Sequence, residues 1–254
     1  MDLEKLKSLF KIRGMDVSEI ETSYNELIQR TKESLVVKPQ GEWGDLRRIR
    51  EYALVLRQAL LYRAIKLFSG SLVALLDDNA HSMILSIRGH FETTAALGYL
   101  HNRLNSLTKG NLEARIVDHD IAVLLLGTRD EGILKSERAK QCDMEARQVL
   151  DMLEYADRSV SKHILQGTAK EHIILTESYK FLCEFSHPNF HSNAISYELK
   201  KEENRFYFMH NKNMLDREFI LINYLLVSNP LFIELFDRIE GLLPGENSGD
   251  ATLN

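Results

Sequence analysis

The sequence predicts a mainly α fold: an antiparallel bundle of long helices with one β-hairpin late in the chain. Apolar residues recur at intervals of three, four or seven through most of the 254 residues. The chain has only 13 glycines and 4 prolines, and its β-prone residues form one pair of runs near residues 193–210. We therefore expect more than half of the residues to be helical, with strands only in that pair.

Five helical segments are predicted in the first half of the chain, bounded by glycines and capping residues. They cover residues 3–11, 16–34, 45–76, 80–105 and 112–126. Asp16 or Ser18 is the expected cap of the second segment. The third carries an apolar stripe flanked by Arg63, and the run Ser69-Gly70-Ser71 is a candidate break in it.

The second half of the chain contains three more helical patterns and the hairpin. The helices are predicted over residues 136–157, 172–186 and 215–242, with a less regular stretch at 159–169. Pro230 is expected to kink or split the last helix. The strands are predicted at 194–199 and 205–209. We divide the chain into an N-terminal helical segment (1–40), a bundle domain (41–243) and a disordered tail (244–254).

Composition excludes several classes of protein. The net charge of −5 argues against a generally basic nucleic-acid-binding surface. Cys142 and Cys183 lack a Cys-x-x-Cys context and are expected to be buried thiols in a reducing compartment. No apolar signal core and no long uninterrupted apolar run occur, so a cytoplasmic protein without a membrane partner is expected. A solvated helix face is expected for the basic strip of Arg47, Arg48, Arg50 and Arg57.

Arg88 and Glu92 fall where a predicted helix should be buried. At ~100° per residue, Arg88 lies on the apolar stripe between Ile84 and Phe91, Glu92 lies on its flank, and His90 points to the opposite side. Because an unpaired buried charge is costly, Arg88 should pair with Glu92 and with a second partner from another helix. Two interpretations remain open, a salt-bridge network that fixes helix register and a ligand or active site.

A histidine-containing turn late in the chain is the second candidate region. His187 lies four residues before His191 and three after Glu184, which are spacings found in helical metal sites. Pro188 ends the helix between the two imidazoles, so we expect no metal. Either His187 and Asn189 shape the turn through backbone hydrogen bonds, or His187 or His191 performs acid–base or phosphate chemistry.

Two arginine–histidine pairs have the spacing found in HEPN domains, which are helical ribonucleases of bacterial defence and toxin systems. The pairs are Arg158 with His163 and Arg205 with His210. The second pair lies in a predicted strand, whereas that family places the motif on a helix. The motif alone therefore does not identify a ribonuclease.

Residues 75–100 and 178–193 together resemble an uncharacterised family of bacterial helical domains that is distantly similar to HEPN domains. The residues that carry the resemblance are Arg88, Glu92, Tyr179, His187 and Pro188. The resemblance implies a helical bundle with a polar cluster formed by two helices, and it brings no established activity.

The preferred hypothesis is a cytoplasmic bacterial protein with a polar pocket inside the bundle, acting as a defence or toxin-type ribonuclease. The predicted catalytic residues are Arg88, Glu92 and His187, and the predicted ligand-binding residues are Tyr179, Asn189 and His191. RNA or another phosphate-bearing ligand is the expected partner, a homodimer is one expected assembly, and no cofactor is expected. The alternative is a non-catalytic interaction or ligand-binding domain, in which these polar groups are sealed and satisfied by one another.

Overall fold

The predicted fold class is confirmed: helices pack against each other, and one antiparallel hairpin follows late in the chain. The computed structural model describes residues 3–14, 16–31, 40–135, 145–164, 173–208 and 213–245. The predicted tail beyond residue 245, Cys142, His172 and His210 lie outside the described residues.

The elements are numbered in chain order. The helices of the first half are α1 (Leu3–Ile12), α2 (Ser18–Gln29), α3 (Leu46–Leu76), α4 (Ala80–Thr108), α5 (Ala114–Leu126) and α6 (Glu131–Leu134). The second half comprises α7 (Val149–His163), α8 (Ile174–Ser186), α9 (Phe190–Asn193), β1 (Tyr197–Lys200), β2 (Arg205–Phe208), α10 (Asp216–Phe219), a 3-10 helix (Ile220–Asn223) and α11 (Tyr224–Leu242).

Helix α4 is the centre of the bundle. It packs against α3, α5, α7, α8 and α11, so apolar side chains are buried on every side of it. At Gly98 an added Cβ would lie 2.4 Å from the Cβ of Ala156, so α4 and α7 approach more closely than any larger residue permits. Burial on α4 therefore extends beyond the single stripe that the wheel around Ile84 predicted, and in its central part only a narrow strip that includes Arg88 and Glu92 is partly exposed.

The first two helices share the core of the bundle. Leu6 and Phe10 of α1 and Ile20 and Leu27 of α2 are fully buried in the same cluster as the long helices. Asp16 accepts hydrogen bonds from both the amide and the hydroxyl of Ser18, at 2.9 and 2.6 Å. Helix α2 ends at Gln29, five residues before the predicted end.

Helix α3 runs without interruption through the candidate break Ser69-Gly70-Ser71 and ends at Leu76, the predicted end of this segment. The Ser71 hydroxyl bonds the carbonyl of Phe68 within the helix, at 2.6 Å, and is fully buried. An added Cβ at Gly70 would lie 3.5 Å from the hydroxyl of Ser86. Small residues here let α3 and α4 pack closely instead of ending the helix.

Two further boundaries differ from the predictions. Helix α7 begins at Val149 and continues to His163. Residues 145–148, which were predicted as helical, are not helical, and residues 159–163, which were predicted as less regular, belong to the helix. The last helix is interrupted by the 3-10 helix and continues through Pro230. Both Leu221 and Ile222 of the 3-10 helix are buried.

Two helical stretches, Leu46–Leu76 and Asp216–Leu242, are long and apolar enough to cross a membrane by length and composition alone. Half or more of each apolar window is buried inside the protein (50% and 56%), as in core helices of globular proteins. The expectations of a cytoplasmic location and of no membrane partner therefore stay predictions.

The hairpin pairs Tyr197 with Phe208 and Leu199 with Phe206. Alternation along the strands places these four apolar side chains on one face of the hairpin. Neither strand packs extensively on any helix of the described residues.

Candidate functional site

Arg88, Glu92 and Tyr179 form a polar cluster between α4 and α8. The Arg88 guanidinium donates from Nε and Nη2 to the Tyr179 hydroxyl, at 3.2 and 3.0 Å, and the hydroxyl donates to Glu92 Oε1 at 3.1 Å. Arg88 Nε lies 3.3 Å from the same carboxylate oxygen. The predicted ion pair is confirmed, and the second partner of Arg88 is a phenol instead of an anion.

The cluster is half-buried, less than the helix wheel predicted. The side chains of Arg88 and Glu92 are 21% and 25% exposed. Burial is the largest influence on Tyr179 and raises its pKa to about 12, against the hydrogen bonds from Arg88, which lower it. The phenol therefore keeps its proton at neutral pH and can donate it to Glu92.

Arg63 extends the cluster from α3. Its Nε donates to the Thr93 hydroxyl at 3.0 Å, and its Nη2 lies 3.8 Å from Glu92 Oε2. The Arg63 side chain is 54% exposed. Two guanidinium groups thus flank one carboxylate at the surface, which leaves the group with a net positive charge.

His187 does not join this cluster. It is exposed at the end of α8, eight residues and ~12 Å along the helix axis beyond Tyr179. Among the described residues, no hydrogen bond or ion pair links its imidazole to Arg88 or Glu92. The three predicted catalytic side chains therefore do not form one hydrogen-bonded constellation.

The other two predicted ligand-binding residues lie around α9. Asn189 caps this helix by accepting a hydrogen bond from the amide of Ser192 at 3.3 Å, and its side-chain amide donates to Glu184 at 3.0 Å. The His191 ring lies 5.3 Å from the ring of Phe185. Asn189 thus shapes the turn, and His191 is part of an aromatic surface.

That surface lines an open pocket of about 650 Å³, which we call the aromatic pocket. Phe181 of α8 stacks on Tyr224 of α11 with the ring centroids 5.6 Å apart and the planes at 19°. The other lining residues are Phe185, Phe190, His191, Ala194, Ile195, Arg217, Glu218, Ile220, Leu221 and Asn223. A concave site of this size and character accommodates a small apolar or aromatic group.

The rim of the pocket carries one ion pair. Arg217 donates from Nη2 to the carbonyl of Ala194 at 3.1 Å, and its Nε lies 3.3 Å from buried Glu218. Glu218 also accepts from the amide of Leu215 at 2.9 Å. The two charges balance, so the pocket selects by shape and apolar contact more than by charge.

Helix α8 joins the polar cluster to the pocket. Its start is held by buried Asp157 of α7, which accepts from the amides of Leu175 and Thr176 at 2.9 and 3.0 Å and from the Thr176 hydroxyl at 2.6 Å. Burial raises the pKa of Asp157, although these hydrogen bonds oppose the change. Asp157 fixes the first turn of α8 and Tyr179 fixes its middle, and both hold its aromatic face in place.

A second arginine cluster on α4 was not predicted. Asp120 is 3% exposed and pairs with Arg103 at 2.9 Å and Arg147 at 2.5 Å. The Arg103 guanidinium lies 4.6 Å from each of the Tyr99 and Tyr155 rings and donates to the Tyr99 hydroxyl at 2.7 Å. The sequence signal for this cluster was Asp120, an acidic residue within the apolar stretch that forms α5.

Two residues expected at the surface are buried. Arg57, assigned to the solvated strip, is 2% exposed, donates to the carbonyl of Phe236 at 2.9 Å and pairs with Glu240 at 3.0 Å. His90, expected to point away from the core, is fully buried with Nδ1 2.9 Å from the Ser228 hydroxyl. Burial lowers the pKa of His90 to about 4. Both expectations were wrong because their helices are covered on more than one side.

The two HEPN-like spacings lead to different places. Arg158 and His163 both lie on α7, where Arg158 pairs with Glu154 at 3.4 Å and the His163 ring lies 5.4 Å from that of His101. Arg205 lies on β2, as predicted. Among the described residues, no group of three or more histidine, cysteine, aspartate or glutamate side chains could hold a metal ion.

Comparison with protein-family models, with characterised proteins and with solved structures finds no match for this chain. Any function must therefore be argued from the geometry of its own residues.

Proposed function

We propose that the protein is a non-catalytic interaction domain whose aromatic pocket holds an apolar group of a binding partner. The observation that carries the proposal is the open pocket itself, with the Phe181 and Tyr224 rings stacked at its wall. Phe181 and Phe190 remain exposed there, although the burial of aromatic side chains normally makes a large contribution to stability.

The polar cluster supports this function by positioning α8. Tyr179 and Phe181 lie two residues apart and point to different sides of the helix. Arg88 and Glu92 hold Tyr179 against α4, and this leaves Phe181 directed at the pocket. The mutual hydrogen bonds of Arg88, Glu92 and Tyr179 support a positioning role for this cluster.

Binding of indole, followed by saturation-transfer NMR, tests the proposal. Indole in excess should bind the pocket of the wild-type protein, and Phe181→Ala should weaken binding at least ~10-fold because one wall of the pocket is removed. Tyr62→Ala is the matched control, since Tyr62 is an exposed aromatic residue on α3 outside the pocket. Equal signals from the wild type and Phe181→Ala would overturn the assignment of the pocket.

Cleavage of RNA is the second candidate, and the two guanidinium groups around Glu92 favour it. Arg63 and Arg88 are partly exposed and could hold a phosphate, with Glu92 as the nearest base. If purified protein degrades RNA, Glu92→Gln and Arg88→Lys should abolish the activity while Arg158→Lys keeps it. RNA that stays intact with the folded wild type removes this candidate.

A further inference from the structure

The apolar face of the hairpin is exposed. The exposed fractions of Leu199, Phe206 and Phe208 are 41%, 57% and 69%. Tyr197 packs its ring on Phe206, with the ring centroids 5.0 Å apart. An isolated two-stranded hairpin is only marginally stable in water, so a hairpin that offers such a face gains stability when that face is covered.

The hairpin and the aromatic pocket are neighbours on one surface. Ala194 and Ile195 line the pocket, and β1 begins two residues later at Tyr197. A projecting apolar element thus stands beside an apolar cavity. Two copies related by a two-fold axis between these features would place each hairpin at the pocket of the other copy.

The exposed area matches what a stable dimer needs. On the pocket side, Phe181, Phe190 and Ile220 are 42%, 72% and 54% exposed. With on the order of 200 Å² for a fully exposed large apolar side chain, these three and the three hairpin residues offer about 650 Å² per copy. Two copies would bury about 1,300 Å², within the ~1,200–2,000 Å² of standard interfaces.

We infer that the partner held by the aromatic pocket is a second copy of this chain, whose hairpin inserts Phe206 reciprocally. The inference rests on the proposed function, because it names the group that the pocket binds. Both members of the contact are uncharged at their centre, and the charged turn residues Lys200–Glu203 lie beyond Phe206 at the tip.

Sedimentation equilibrium on the full chain, at concentrations up to roughly 100 μM, tests the inference because standard-size interfaces give micromolar or tighter Kd values. The wild type should be dimeric. Phe206→Asp on the hairpin and Phe190→Asp at the pocket should each raise the dimer Kd at least ~100-fold, since each change removes one aromatic contact from both copies. Tyr207→Ser, on the polar face of the same strand, should leave the Kd unchanged.

Mixing the two variants tests the reciprocal geometry. A dimer of one Phe206→Asp copy and one Phe190→Asp copy keeps one intact hairpin-to-pocket contact, whereas either variant alone keeps none. The equimolar mixture should therefore dimerise at least ~10-fold more tightly than either variant alone. Hairpins stacked on each other would show no such recovery, and that result overturns the inference.

Indole binding separates the inference from the proposed function. It is measured on Phe206→Asp, whose pocket is intact and whose exposed position allows the change without loss of the core. A monomeric wild type together with indole binding in this variant overturns self-association and leaves the interaction domain. A monomeric wild type whose pocket also fails to bind indole overturns both.

Discussion

The two arginine clusters on α4 are built from the same groups and differ in burial. Arg88 contacts a tyrosine hydroxyl and Glu92, and Arg103 contacts a tyrosine hydroxyl and Asp120. The Asp120 carboxylate is 3% exposed and held by two arginines, whereas the Glu92 carboxylate is 25% exposed. Burial therefore decides whether such a cluster only locks helices together or also remains accessible to a ligand.

The largest effect on stability is expected at the buried cluster of Asp120, Arg103 and Arg147, which we call the sealed cluster. Asp120→Ala leaves Arg103 and Arg147 without their shared carboxylate and should lower the free energy of unfolding by about 3–5 kcal/mol. Urea denaturation measures the change. Glu154→Ala, which breaks the exposed pair with Arg158, is the control and should cost at most about 0.5 kcal/mol. Equal losses of stability in the two variants would contradict the conclusion that burial determines the strength of these ion pairs.

The pH dependence of stability should distinguish buried from exposed histidines. Burial lowers the pKa of His90 to about 4, below its ordinary ~6.5, so the unfolded chain binds this proton more readily. The stability that the folded protein gains by keeping His90 neutral is complete above pH ~6.5. It is lost as the pH falls toward 4, and the free energy of unfolding decreases by on the order of 3 kcal/mol in total.

Urea denaturation between pH 7 and pH 4.5 measures this loss. His90→Asn should remove about half of the pH dependence, because burial also lowers the pKa of His101 to about 4, and the variant should be less stable at neutral pH. His187→Asn changes an exposed imidazole at the end of α8 and should leave the dependence as in the wild type. A wild-type stability that does not fall over this range would mean that His90 is already protonated in the folded protein.

The half-exposed cluster should respond more weakly than the sealed one. Arg88→Ala removes one of two guanidinium groups near Glu92, and water can still reach the carboxylate, so about 1–2 kcal/mol of stability should be lost. The loss should shrink in 1 M NaCl, because salt screens partly exposed charges. A loss as large as that of Asp120→Ala would show that the two clusters are sealed alike.

The smallest effect is expected from Tyr179→Phe. The ring keeps its place and only the bridging hydroxyl is removed, at a cost of about 1 kcal/mol. The Arg88–Glu92 ion pair should persist, since it does not depend on the hydroxyl. Indole binding should be retained if the ring alone orients α8, and it should weaken if the hydroxyl does.

Local patterns predicted the parts of the molecule that depend on local chemistry. The hairpin and the Arg88–Glu92 pair both follow from residues that are close together in the sequence. The burial of Arg57 and His90 was not predictable from one helix, because it depends on α11 covering a second side of α3 and α4.

The candidate site also has a part that the sequence predicted and a part that it did not. Tyr179 entered through the resemblance, and the structure brings it to Arg88 and Glu92. The aromatic pocket was not predicted as a cavity, because Phe181 and Tyr224 are distant in sequence and read as ordinary members of apolar stripes. Only His191 of its lining was singled out, and for chemistry instead of shape.

The Asp157 contact has a consequence for transplanting this site. Helix α8 carries both Tyr179 and Phe181, yet its own N-cap, Ile173, supplies no side-chain hydrogen bond. Its first amides are satisfied by a carboxylate from α7. A synthetic peptide covering α8 alone would fray at its start, so any graft that includes α8 must also include α7.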